Sequence, residues 1–285
     1  MAEAAGVLAI DWLTACRQAT EGLRAMLADT PVGARRVAET GETGEGGDRT
    51  LIIDAAAEQL VFDELQRLHD VGGRFTVVSE ERGTVDYGDD RILVVVDPID
   101  GSLNAKRGMS HYALSIAVAD GPTMADVCFG YVYDFGPGEE WSATRGGGAF
   151  LNGVLLTDPP PERRMADGRL ELVAVESAHP RHFAASSDAL VEHVHRIRSM
   201  GSIAISMCQV ARTRVDGMAT LWRTRAVDAA AAQLVVRESG GLVAFPGFDD
   251  PLGAPLDLLP HAPVVAARTP EALTRLASLC AAPAA

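Results

Sequence analysis

Residues 92–96 are an unbroken β-favouring apolar run, and Asp97-Pro98-Ile99-Asp100-Gly101-Ser102-Leu103-Asn104 follows directly. So short a run reads as a strand buried on both faces, which asks for cover on both sides of a sheet. The strand delivers Asp97 to its end. Pro98 is expected to stop the ladder there, because it has no N–H to donate. Asp100 is then expected to return beside Asp97 across a tight turn. Gly101 lets the backbone approach a ligand closely, and its amide with that of Ser102 is placed to face an anion. Two carboxylates at a strand end, followed by small residues, suit a metal-bridged phosphate. Their hard oxygen donors favour Mg2+ over zinc. The competing reading is a plain turn in which Asp100 or Ser102 caps a short helix.

Three further carboxylates bear on this motif. Glu80 and Glu81 follow the β-rich stretch 75–79. If the two strands are neighbours, Glu80 stands beside Asp97; otherwise the pair is a solvated loop. Asp54 lies three residues before Ala57, on the stripe Ala57, Leu60, Val61, Leu65, Leu68. That spacing puts a carboxylate on the packing side of a helix. Asp228 opens a helix that continues through four alanines, 229–232. An N-cap role explains the aspartate alone, but the alanine run also permits close packing against whatever the helix faces.

Charge sharpens the argument. The net charge of −14 repels nucleic acid and anionic membrane, so neither is expected as a partner. It repels a phosphate ester too, and a bound cation is the simplest local remedy. With 285 residues and 47% apolar content the chain has material for one large domain or two packed subdomains. No stretch reaches the roughly 20 apolar residues of a membrane span, and no signal peptide is apparent at the start. Cys16, Cys128, Cys208 and Cys280 have no metal-ligand or redox spacing and read as buried thiols. A cytoplasmic location is expected.

Periodicity predicts a helix over 7–27, a mobile loop over 41–47 and a second helix from about Thr50. Short strands at 112–119, 127–133, 141–144 and 149–151 suggest an antiparallel meander. The Pro-rich stretch 157–168 reads as an exposed connection between subdomains 1–157 and 158–285. Beyond it strands and helices alternate: a strand at 172–175, helices at 188–197 and 202–212, a strand at 218–221 and a helix at 228–239 closed by Gly240-Gly241. Strands at 242–244 and 264–267 and a helix from Pro270 complete an α/β pattern. His193 and His195 would lie on different helix faces and read as surface residues.

Taken together these segments resemble the inositol monophosphatase superfamily, the lithium-sensitive phosphatases, over most of the chain. Residues 48–54 look like its first acidic helix, Ser79-Glu80-Glu81 its Glu-Glu loop and 97–104 its signature metal motif. Gly146-Gly147-Gly148 resembles its glycine turn, 198–202 its substrate-side helix start and 228–241 its second signature. The resemblance implies an αβαβα sandwich, often dimeric, with two or three Mg2+ ions. It implies ligands at Glu80, Asp97, the Ile99 carbonyl, Asp100 and Asp228, with Asp54 near a weaker ion. Glu80 and Ser102 would orient the attacking water, Gly101 and Ser102 would hold phosphate, and Gly201, Ser202 or Arg225 would touch the rest of the substrate. Leu221 stands where inositol-type members present a carboxylate, and the pairing of Ser102 with Arg225-Ala226-Val227-Asp228 looks more like the archaeal dual inositol-phosphatase/fructose-bisphosphatase branch. Hydrolysis of a small phosphate monoester by a metal-activated water is expected. Inositol phosphate, fructose 1,6-bisphosphate, a 3′-phosphoadenosine nucleotide and histidinol phosphate are the candidate substrates, with a non-catalytic metal- or phosphate-binding regulator as the alternative.

Overall fold

The computed structural model describes residues 10–30, 39–43, 49–157, 159–177 and 179–280. Helix α1 (Trp12–Asp29) begins at Asp11, whose Oδ1 accepts the Thr14 amide at 3.0 Å. It buries Trp12, Cys16, Ala19, Leu23 and Leu27, a stripe of helical period. Strands β1 (Glu39–Thr43) and β2 (Arg49–Leu51) form a two-stranded hairpin before α2 (Ile52–Asp70). Residues 41–43 are therefore strand rather than the expected loop; Thr40 and Thr43 are β-branched and suit an extended backbone. Residues 44–48, which complete the expected loop and open the expected acidic helix, lie outside the described residues.

The larger sheet holds β3 (Thr76–Ser79), β4 (Gly83–Asp86), β5 (Leu93–Asp100), β6 (Ala113–Ala119), β7 (Val127–Asp134), β8 (Glu139–Thr144), β9 (Gly148–Leu151) and β10 (Val154–Leu155). Its order is β10-β9-β8-β7-β6-β5-β3-β4. From β5 to β10 each strand pairs antiparallel with the next, which is the expected meander. Strand β3 instead runs parallel to β5, with Ser79 opposite Val96. Glu80 and Asp97 thus follow the last paired residues of the two strands, Ser79 and Val96, side by side. Pro98 does not end β5. The ladder resumes with Asp100 opposite Ala113, and an irregularity between Asp97 and Asp100 absorbs the proline. Helix α3 (Ser102–Arg107) follows at once.

The second sheet contains β11 (Leu170–Glu176), β12 (Val194–Arg198), β13 (Gly217–Thr220), β14 (Leu242–Ala244) and β15 (Val265–Ala267), in the order β12-β11-β13-β15-β14. Strands β12 and β13 flank β11 and run parallel to it. The helix expected over 188–197 is corrected here. After α4 (Pro180–Ala185), α5 (Ser187–His193) stops and residues 194–198 become the edge strand β12. Pairing with β11, distant in sequence, decides the outcome where Val194 and Ile197 give only a local hint. His195 accordingly lies on a strand. Helices α6 (Ile203–Ala211), α7 (Ala226–Glu238) and α8 (Pro270–Leu279) complete the chain.

The layers follow from strand alternation. Val94 and Val96 pack into the apolar cluster of α1 and α2, whereas Val95 between them joins the cluster of α6 and α7. On the second sheet Ala174 faces α6 and α7, while Val173 and Val175 pack with Leu190 of α5 and Leu276 of α8. The result is the αβαβα sandwich. Cys16, Cys128 and Cys208 are buried free thiols; Cys280 is half-buried, its Sγ donating to the Thr220 carbonyl at 3.2 Å. No helix among the described residues is long and apolar enough to cross a membrane.

Candidate metal centre

Three elements converge at one end of the sandwich. The residue after β3 is Glu80, the start of the β5 irregularity brings Asp97, and the first turn of α7 brings Asp228. Each offers a carboxylate oxygen, and these oxygens lie within 4.8 Å of one another. Asp97 is buried, and its Oδ1 accepts the Ile99 amide at 2.9 Å across the β5 irregularity. Burial, and then the charges of Glu80, Asp100 and Asp228, hold its carboxyl well above the usual range; Arg225 opposes them. Like charges crowded in a dry site call for a cation. In the structure Arg225 supplies one. Its Nη2 lies 2.8 Å from Glu80 Oε1 and 3.7 Å from Asp228 Oδ1.

Asp228 also serves the helix it opens. Its Oδ2 accepts the Thr224 hydroxyl at 2.9 Å and the Arg225 amide at 3.2 Å, as the N3 member of a capping box. Asp228 thus caps its helix through Oδ2 and at the same time offers an oxygen to the three-carboxylate group. The alanines behind it are fully buried, and a Cβ on Gly130 of β7 would stand 2.5 Å from the Ala231 carbonyl. Helix backbone rests directly on sheet backbone there, which fixes the depth of Asp228.

Asp100 takes a different direction. It does not cap α3; Gly101 occupies that position at φ 89°. The Asp100 carboxylate crosses to α6, where Oδ2 accepts the Ser202 hydroxyl at 2.6 Å and the Ala204 amide at 2.7 Å. Burial pushes its carboxyl up to about 8, with Asp228 adding to the rise and the Ser202 bond opposing it. Ser202 is buried and caps α6 through the Ile205 amide. Gly101 meets the backbone of His111 and Gly201: an added Cβ would fall 2.8 Å and 3.0 Å from their carbonyl oxygens. The close approach at Gly101 is thus to the protein itself. Ser102 is half-buried at the first position of α3, and Asp54 is half-buried in the first turn of α2, outside the three-carboxylate group.

Two supporting acids escaped the sequence reading. Glu58 of α2 accepts the Ser79 hydroxyl and, at 3.1 Å, the Arg82 amide, so it pins both sides of Glu80. Glu176 ends β11 and accepts the Met200 amide at 2.8 Å, the Gly201 amide at 3.0 Å and the Ser206 hydroxyl at 2.6 Å. Burial raises the carboxyls of both. Glu176 carried a signal in the sequence: an apolar strand run ending in an acid, as at Glu80 and Asp97. Glu238, at the end of α7, accepts the Gly146 and Gly148 amides at 2.9 and 3.0 Å and so anchors the glycine turn.

A sequence model of the inositol monophosphatase family matches residues 13–282. The chain belongs to the inositol monophosphatase family. Its class is accordingly that of a phosphoric monoester hydrolase. A Thermococcus kodakarensis fructose-1,6-bisphosphatase/inositol-1-monophosphatase is 35% identical over 74% of this chain and 75% of its own length. The Nus factor SuhB of Escherichia coli is 34% identical over 67% of this chain and 69% of its own. Among solved structures, an inositol monophosphatase-fructose 1,6 bisphosphatase superposes with a TM-score of 0.78 at 25% identity, covering 95% of this chain and 100% of that one. The family fold and the layers derived above agree.

Proposed function

We propose that the chain hydrolyses a small phosphate monoester with Mg2+ held by Glu80, Asp97 and Asp228, the phosphate being carried by an inositol or a sugar such as fructose 1,6-bisphosphate. The observation that carries this reading is the convergence of those three carboxylates, from three separate elements, within 4.8 Å. An all-oxygen donor set suits a hard divalent cation. Bound there, Mg2+ would neutralise phosphate charge and lower the pKa of an attacking water.

The protein residues divide the remaining work. Asp97 is held in place by the bond from the Ile99 amide to its Oδ1 and offers an oxygen to the three-carboxylate group. Asp100 and the Ile99 carbonyl lie on the same β5 irregularity and complete the proposed ligand set, with Asp54 for a weaker ion. Asp100 also ties that strand to α6, so its second role is to hold the two halves of the site in register. Glu80, with the Ser102 hydroxyl, is the group we assign to take the water's proton. The amides of Gly101 and Ser102 would receive phosphate oxygens, and Gly201 and Ser202 with Arg225 would border the remainder of the ester. Ser202 spends its hydroxyl on Asp100 and Arg225 its guanidinium on Glu80. Both therefore act first on the protein's own charges and only then on substrate. A soluble cytoplasmic homodimer completes the proposal.

The test is phosphate release from a panel of inositol, sugar, nucleotide and histidinol phosphates. Turnover of at least one ester is expected with Mg2+, loss of it in EDTA, return on adding Mg2+, and inhibition by Li+. Undiminished release in EDTA would contradict the metal assignment, and no release from any ester would favour a regulator without turnover.

A further inference from the structure

The chain carries 39 Asp and Glu against 25 Lys and Arg. A guanidinium therefore has carboxylates within easy reach, and many are paired: Arg17 with Glu140, Arg145 with Asp120, Arg169 with Asp167, Arg275 with Glu271. Arg163, Arg196 and Arg198 depart from this. All three line one cavity of about 260 Å³, together with His195 and Arg214. Arg196 Nη1 and Arg198 Nη1 bond only to carbonyls of their own strand, those of His195 at 3.4 Å and Ile197 at 2.9 Å.

Two acids, half-buried Glu171 and buried Asp216, share the lining with four arginines, 163, 196, 198 and 214. Asp216 is buried, and its two oxygens accept the Arg163 amide at 2.7 Å and the Leu172 amide at 2.8 Å. Glu139, outside the cavity, grips Arg214 with two bonds of 2.7 Å and holds that guanidinium at the wall, so the balance of free charge rests on Arg163, Arg196 and Arg198 against Glu171. Arg196 and Arg198 are two residues apart on β12, so they project from one side of the strand about 7 Å apart. Charged side chains on an edge strand also discourage stray pairing with other sheets. That purpose needs charge alone and gives no reason for Arg163, from the interdomain connection, to join the same concavity.

We infer that this cavity binds a compact phosphate-bearing anion, at a site separate from the three-carboxylate group. Planar guanidinium forks match phosphate oxygens pairwise. In a protein of net charge −14 such an anion has few other surfaces that attract it. None of the lining residues belongs to the proposed metal centre.

Inorganic pyrophosphate titrated calorimetrically into the full chain, without added divalent cation, tests this. Wild type and Asp97→Asn are expected to bind one equivalent with equal affinity. Arg196→Gln, and separately Arg163→Gln, should weaken binding at least tenfold while Mg2+-dependent phosphate release and far-UV circular dichroism stay unchanged. Equal binding by the arginine variants, or no binding by wild type, overturns the inference. Loss of binding in Asp97→Asn also overturns it, by assigning the anion to the carboxylate site.

Discussion

Arg225 neutralises part of a charge cluster that would otherwise be held apart by repulsion alone. Its guanidinium touches Glu80 and approaches Asp228. Replacing it by glutamine removes the protein's own cation from the three carboxylates. Arg225→Gln should destabilise the metal-free protein by about 1–3 kcal/mol, as for loss of a charged hydrogen-bond partner. Mg2+ should restore most of that, so the variant's melting temperature should depend on Mg2+ more steeply than that of wild type. Equal dependence would mean that Arg225 and the cation serve different charges. A second prediction at this scale concerns pH. Asp100 rises from 3.8 to about 8 in the folded protein. The folded state thus holds a proton that the unfolded chain has released above pH 4. Stability from this group is complete below the unfolded value and is lost as pH rises through the folded one. The metal-free protein should therefore melt at progressively lower temperature between about pH 4 and pH 8. Saturating Mg2+ should flatten or reverse the trend, because cation binding favours the ionised carboxylates. A metal-free melting temperature that climbs over the same window would refute the burial argument.

Helix α7 ties site to scaffold. Its alanines let the helix backbone sit on β7, and Gly130 leaves the space. Gly130→Ala places a Cβ against the Ala231 carbonyl, backbone against backbone, where no side chain is free to yield. The expected cost is about 1–3 kcal/mol, the usual range for overpacking. Because Asp228 rides on the same helix, the Mg2+ concentration for half-maximal activity should rise as well. A stability loss with no change in that requirement would separate the packing of α7 from its ligand. At this scale the sequence was informative where local pattern and tertiary outcome agree. The meander, α6 and α7 were legible from apolar runs and punctuating glycines. Strand β12 was not, because residues 188–197 continue a helix-compatible pattern and only β11 extends their second half. Pro98 misled for a related reason: its missing N–H matters in a regular ladder but not at an irregularity, and the sequence does not mark where irregularities fall.

For the molecule as a whole, the site exists because two sheets share one helical layer. Strand β5 belongs to the first sheet and α6 packs under the second, and Asp100 to Ser202 is the bond between them. The family resemblance named the carboxylates and their order along the chain. It did not reveal that Glu58 clamps the turn presenting Glu80, or that Glu176 clamps the turn leading to Ser202, since those acids lie outside the motifs. The central claim is that Glu80, Asp97 and Asp228 hold the catalytic divalent ion. Anomalous diffraction from crystals grown with Mn2+ in place of Mg2+ tests it most directly. A peak is expected about 2.0–2.3 Å from oxygens of all three carboxylates, absent in Asp97→Asn crystals of the same fold. A Mn2+-supported active enzyme with its peak elsewhere, or with these three side chains turned away from it, would contradict the account.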